Sequence, residues 1–137
     1  MEIIRLTSAV HGVIIHHART MLPAEAVGML GGDLLGRATL SIPLPNRAGQ
    51  KAFLADPFAQ FQAERQLAHL GLQVIAVYHS HPGGGAQLSE LDLIFARRRA
   101  CIQLVIALGR PHLLGEELRA YRVVENRVMG VQVYIEG

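Results

Sequence analysis

Residues 72–92 read Leu72-Gln73-Val74-Ile75-Ala76-Val77-Tyr78-His79-Ser80-His81-Pro82-Gly83-Gly84-Gly85-Ala86-Gln87-Leu88-Ser89-Glu90-Leu91-Asp92. The first seven residues form a near-continuous apolar run, the pattern of a central strand buried on both faces. That strand delivers the chain to two imidazoles. Because a strand turns successive side chains to opposite faces, His79 and His81 share a face and Ser80 does not. Pro82 cannot continue the ladder, so the strand stops there. The three glycines that follow let the backbone reverse tightly. Ser89 then starts a helix, with Leu91, Ile94 and Phe95 expected to face inward and Arg97-Arg98-Arg99 in its last turn. Asp92, on the first turn of that helix, can return to the two histidines as a third ligand. Two neutral nitrogens and one carboxylate suit Zn²⁺, with water in a fourth, open position, as a catalytic rather than a structural site requires.

Each piece also has an ordinary explanation. A serine with an acidic residue three positions on resembles a helix-capping pair. A lone histidine is usually a surface or satisfied core residue, and His11, His16, His17, His69 and His112 are read that way. Tyr78 points away from His79 and is read as packing. It is the combination at fixed offsets that marks a metal site.

Upstream, residues 2–6 form a short strand, and Thr7 or Ser8 caps a helix running to about Met21. Val10, Val13, Ile14, His17 and Met21 recur at helical steps and give its buried stripe. Glu25-Ala26-Val27-Gly28-Met29-Leu30 reads as a buried strand closed by Gly31-Gly32. Ala38, Leu40, Ile42 and Leu44 alternate along residues 37–44, a second strand paired with the first as a hairpin. Pro45-Asn46 and Gly49 mark a loop, and Phe53-Leu54 a brief further strand. Asp56-Pro57 starts a helix and Gly71 stops it, with Phe58, Phe61, Leu67 and Leu70 as its apolar members.

Downstream, residues 102–108 form another apolar strand ended by Gly109-Arg110-Pro111. Residues 118–124 and 127–135 form a final hairpin about Glu125-Asn126. The order is β, α, β, β, α, β, α, β, β, β, without repeats or linkers. This is the α/β class, of α+β type, with helices packed on a mixed, largely antiparallel sheet in one domain over residues 1–137. A free edge, with the last strand as its candidate, would offer a pairing surface.

The chain has 137 residues and is half apolar, enough for one core. A net charge of +2 does not single out nucleic acid as partner. Cys101 is the only cysteine, so no intrachain disulfide forms, and a buried core thiol is its expected role. The N-terminus lacks the pattern of a signal peptide, and no apolar run is long enough to span a bilayer. A soluble, cytoplasmic protein is the expectation. H-E-x-x-H, C-x-x-C, G-x-x-x-x-G-K-[ST] and G-x-S-x-G are absent from the sequence.

His79-Ser80-His81-Pro82, six residues, then Ser89-Glu90-Leu91-Asp92 resembles the JAMM motif, H-x-H-P-x6-S-x-x-D, of the catalytic MPN (Mov34/JAB1) metallopeptidases. Glu25-Ala26-Val27-Gly28-Met29-Leu30 is similar to the family's upstream E-x-x-G-x-L. Pro45-Asn46 and the stretch from Phe53 to Asp56-Pro57 resemble the usual connection into the helix before the motif strand. The resemblance covers nearly the whole chain. It implies one Zn²⁺ per chain held by His79, His81 and Asp92, with Glu25 handling the proton of an attacking water. Zinc lowers the pKa of its bound water towards about 7, and the Ser89 hydroxyl can steady the oxyanion.

The implied reaction is hydrolysis of a peptide or isopeptide bond after the C-terminal Gly-Gly of a ubiquitin-like or sulfur-carrier protein. The short connections favour a minimal, prokaryotic type. The tail's bond can join it to a lysine, to free cysteine, or to extra residues of a precursor. Two other readings remain: a non-catalytic MPN-type scaffold, and a nucleic-acid-associated relative, for which only Arg97-Arg98-Arg99 speaks. Cations at a helix C-terminus account for that run more simply. The oligomeric state is open, a homodimer included.

Overall fold

The computed structural model describes residues 1–46, 56–109 and 116–137. The elements follow the expected order: β1 (Ile3–Leu6), α1 (Ser8–Thr20), β2 (Val27–Gly32), β3 (Arg37–Leu44), α2 (Pro57–His69), β4 (Gln73–His81), α3 (Glu90–Ala96), β5 (Ile102–Ala107), β6 (Glu117–Val124) and β7 (Arg127–Ile135). Gly49, Phe53, Leu54, Arg110, Pro111 and His112 lie outside the described residues.

The sheet runs β1-β3-β2-β4-β5-β6-β7 and closes on itself. It is mixed. The β2–β3, β2–β4, β5–β6 and β6–β7 pairs are antiparallel, whereas β4–β5 and both pairings of β1 are parallel. Closure corrects one expectation. The last strand is not a free edge, because β1 pairs with β7 from Ile3↔Gln132 to Leu6↔Ile135. Local patterning cannot reveal this, since the two strands lie at opposite ends of the chain.

One face of the curved sheet packs on α1. Val10, Ile14, Ile15 and Ala18 cluster with Ile4, Leu6, Leu30, Ala76, Tyr78, Leu104 and Ile106. Thr7 is the cap, accepting from Val10 N at 3.2 Å. The buried stripe is rotated from the expected one: Ile15 and Ala18 are inside, and Val13 is 51% exposed. Positions 10, 14 and 18 stack at four-residue steps, so the helix rests on that row and His17 and Met21 fall on its flank.

The opposite face packs on α2. Asp56 caps this helix and Pro57 occupies its first turn, as the sequence predicts. Its contact stripe, however, is narrow. Ala63 and Leu67 pack with Val27, Met29 and Leu44, while Phe58, Phe61 and Leu70 are exposed. The helix comes so close to β2 that a Cβ at Gly31 would collide with the Leu67 side chain. Small residues at the crossing permit this, and the large ones are left outside. Gly31 and Gly32 accordingly lie within β2 instead of closing it. Among the described residues, no helix is long and apolar enough to cross a membrane.

Candidate active site and metal centre

β4 extends through the motif histidines and ends at His81, immediately before Pro82. His79 and His81 leave it on the α2 side of the sheet, the face that carries Val77. His79 is completely buried and His81 partly so. Their Nε2 atoms lie 3.1 Å apart. Asp92 Oδ2 completes a triangle, 3.2 Å from His79 Nε2 and 3.0 Å from His81 Nε2.

The turn between strand and helix is built to hold this triangle. Tyr121 Oη donates to Ala86 O at 2.7 Å. Gly84 forms an isolated bridge with Gly109, and a Cβ at Gly109 would run into the Gly84 backbone. His81 Nδ1 lies 2.9 Å from Gly85 O. A carbonyl only accepts, so Nδ1 carries the hydrogen, and in the neutral ring Nε2 presents a lone pair.

Asp92 points inward because α3 is oriented around it. This corrects the expected helix face: Asp92 and Ala96 are buried and Phe95 is half-buried, whereas Leu91 and Ile94 are exposed. Residues 92 and 96 lie one turn apart on one face, so directing the carboxylate inward turns 91 and 94 outward. The helix ends at Ala96, with Arg97 as its C-cap, so the arginine run lies at and beyond its end. Arg99 forms an ion pair with Glu64 of α2.

Ser89 caps α3. Its Oγ accepts from Asp92 N at 3.1 Å, and its own N–H donates to Asp92 Oδ2 at 2.9 Å. The capping reading of this serine therefore holds, and the bond to Asp92 N uses only the oxygen. The hydroxyl hydrogen takes no part in it.

Glu25 arrives from the segment before β2. A carboxylate oxygen of Glu25 and one nitrogen each of His79 and His81 lie within 4.8 Å of one another. The structure thus brings Glu25, His79, His81, Asp92 and Ser89 to one place, although Glu25 is far from the others in sequence.

The electrostatics follow from this crowding. Burial pushes the Glu25 carboxyl up to about 7, with His81 opposing and Asp92 adding to the rise. Burial also lowers His79. His81 is raised, chiefly by its hydrogen bond with Asp92. Burial alone would raise Asp92, but its hydrogen bonds from His79 and His81 outweigh it and hold the carboxyl well below the usual range. The centre of the triangle therefore favours a positive charge. With the protons gone, the same three atoms at 3.0–3.2 Å come close to the spacing around a tetrahedral metal, whose ligand atoms lie about 3.3–3.4 Å apart when its bonds are about 2.0–2.1 Å. The donor set fits a metal cation.

Sequence reasoning missed two contacts that hold the backbone at Glu25 and Ala26. Ser80 Oγ accepts from Ala26 N at 2.8 Å, and Asn46 Nδ2 donates to Glu25 O at 2.8 Å. Nothing in the local pattern marks either residue, because both bonds are long-range.

Three comparisons with known proteins bear on this site. The family of prokaryotic homologs of the JAB domain matches residues 7–124. A protein of Thermus thermophilus described as a probable TtuB-protein conjugate cleaving protease is 33% identical over 100 residues, 65% of this chain and 68% of that protein. A solution structure of a protein from Desulfitobacterium hafniense superposes with a TM-score of 0.87 at 28% identity, covering 98% of this chain and 93% of that one. The crystal structure of a JAB1/MPN domain protein from Archaeoglobus fulgidus shares the fold, with a TM-score of 0.65 at 17% identity over 98% of this chain and 97% of that one. With the family match running from the cap of α1 to the end of β6, the chain belongs to the prokaryotic JAB family.

Proposed function

We propose that this protein is a cytoplasmic, zinc-dependent hydrolase of peptide or isopeptide bonds, acting as one domain over residues 1–137. It cuts after the C-terminal Gly-Gly of a ubiquitin-like or sulfur-carrier protein. The observation that carries this reading is the convergence of His79 Nε2, His81 Nε2 and Asp92 Oδ2 beside the buried Glu25 carboxylate. The Thermus thermophilus relative, described as cleaving TtuB-protein conjugates, supports the substrate class. A lone buried thiol, with no disulfide to preserve, suits a reducing compartment.

His79, His81 and Asp92 would hold the metal, with Gly85 O fixing the tautomer of His81 from behind. When bound, zinc supplies Lewis acidity and an acidified water at neutral pH. Glu25 accepts the proton of the attacking water and delivers it to the leaving amine. A carboxyl raised to about 7 suits both halves of that transfer. A span of up to 4.8 Å between Glu25 and the histidines leaves room for one water within hydrogen-bond reach. The Ser89 hydroxyl, its oxygen already anchored on Asp92 N, directs its hydrogen to the carbonyl oxygen as charge builds there.

The test uses zinc-loaded protein and a sulfur-carrier protein whose last glycine is joined to the side-chain amine of a lysine peptide. Mass spectrometry should find the carrier ending in a free Gly-Gly carboxylate, with the reaction stopped by a chelator. Glu25→Ala should keep zinc and fold while losing most turnover, and full activity in that variant removes Glu25 from the mechanism. A pull-down with Glu25→Ala should then trap proteins ending in Gly-Gly. If only unrelated partners appear, the carrier assignment fails even though the hydrolase assignment stands. Failure to bind near-stoichiometric zinc would favour a scaffold subunit.

A further inference from the structure

Ser80, which the mechanism above does not use, lies between the two histidines in sequence. Strand alternation sends its side chain to the opposite face. There it is completely buried, as is Ala26. Its backbone N–H donates to Ala26 O at 2.9 Å, and its hydroxyl oxygen accepts from Ala26 N at 2.8 Å. Two antiparallel residues ordinarily exchange both bonds through their backbones. Here the serine side chain takes over one half of the exchange. The chain can therefore leave the ladder before Val27, which pairs with His79, and still stay pinned to β4.

Glu25 is the next residue, and its own carbonyl is held by Asn46 Nδ2. Buried Ala26 N–H has no access to bulk water, so an alanine at position 80 would leave this donor without its acceptor. The peptide bearing Glu25 would then shift.

We infer that Ser80 is a positioning residue for Glu25: through Ala26 N–H it fixes where the Glu25 carboxylate stands against His79, His81 and Asp92. This rests on the reading of Glu25 as the proton carrier. Displacement of a reacting group by about 1 Å costs on the order of 100-fold in rate. The metal ligands do not depend on this bond, so binding of zinc should survive its loss.

The experiment compares zinc-loaded wild type, Ser80→Ala, Ser80→Thr and Glu25→Gln. Its probe is a Gly-Gly-ended sulfur-carrier protein joined through its last glycine to a fluorescent lysine. In Ser80→Ala, kcat should fall by roughly 10–100-fold with KM and zinc per chain unchanged. Amide hydrogen exchange at Ala26, read by NMR without substrate, should quicken by at least about tenfold while the amides of His79 and His81 keep their protection. Ser80→Thr, which retains the hydroxyl, should restore both. Wild-type kcat together with wild-type Ala26 exchange in Ser80→Ala overturns the inference. So does a parallel loss of zinc and fold, which would give Ser80 a general structural role. Wild-type turnover in Glu25→Gln removes the catalytic reading instead, and the exchange measurement still reports whether Ser80 pins this peptide.

Discussion

Gly28 and Tyr78 face each other across β2 and β4, and the tyrosine ring fills the space that a side chain at position 28 would need. A Cβ there would fall inside the envelope of the ring, whose own hydroxyl is fixed 2.6 Å from His17 Nδ1. The ring cannot swing away without breaking that bond. Gly28→Ala should therefore destabilise the protein by about 1–3 kcal/mol, the usual range for overpacking. Combined with Tyr78→Leu, the loss should be clearly less than additive. Urea denaturation of the two single variants and the double variant measures this, and additivity would show that the contact is not what makes Gly28 necessary.

The His17–Tyr78 bond has a pH consequence. Burial pushes the Tyr78 hydroxyl up, so it stays protonated and donates, and His17 must accept as a neutral ring. Burial, with a smaller contribution from His16, lowers His17 below its ordinary 6.5. The unfolded chain then binds a proton more readily than the folded one. The His17 contribution to stability is present above about 6.5 and lost as pH falls through the lower folded value. Replacing His17 by Asn keeps an acceptor and removes the titration. The stability of His17→Asn should thus fall less steeply than wild type between pH 7.5 and 5, and equal slopes would rule His17 out as a contributor.

Zinc should stabilise the folded chain, since three lone-pair donors that converge only in the fold gain a common partner. At a hundredfold excess over Kd, one site adds about 2.7 kcal/mol. Thermal unfolding with zinc and with a chelator should differ for wild type and for Glu25→Gln. His79→Ala and Asp92→Ala should abolish most of the difference. An unchanged shift in Asp92→Ala would remove that carboxylate from the ligand set.

Gly109 supports the candidate metal site from outside it. A side chain at this position would displace the Gly84 backbone, and with it the turn whose Gly85 carbonyl orients His81. Loss of such an orienting contact typically costs 10–100-fold in metal affinity. Gly109→Ala should weaken zinc binding by roughly that factor, measured by competition with a chromophoric chelator, while Gly12→Ala, exposed on α1 and open on its Cβ side, should leave it unchanged. Wild-type affinity in Gly109→Ala would mean that the turn tolerates the shift.

Much of the fold was legible in the sequence for local reasons. Thr7, Asp56 and Ser89 each cap the helix they precede. Period-two and apolar runs mark the strands, and Pro82 ends β4. The errors in the faces of α2 and α3 share one cause. Phe58, Phe61, Leu91 and Ile94 are apolar, and hydrophobicity alone assigns them inward. The structure leaves them outside because a close crossing at Gly31 turns α2 and the inward carboxylate of Asp92 turns α3. Side-chain polarity says that a helix has a buried face, but neighbouring elements decide which one.

The site divides in the same way. The spacing of His79, His81 and Asp92 is a short-range property: one strand face, one glycine turn and one helix turn lie within fourteen residues, so the sequence by itself determined that these three could meet. Glu25 entered only through its resemblance to a family motif. Asn46 entered only with the loop that resembles the family's connection, and Ser80 only as the residue facing away from the histidines, neither as a partner of the segment that bears Glu25. What brings them in is the pairing of β2 with β4, at Val27↔His79, within a sheet closed by β1 on β7. Those pairings join residues more than fifty positions apart. They bury one face of the sheet against α1 and the other against α2, an arrangement that no local window of sequence contains.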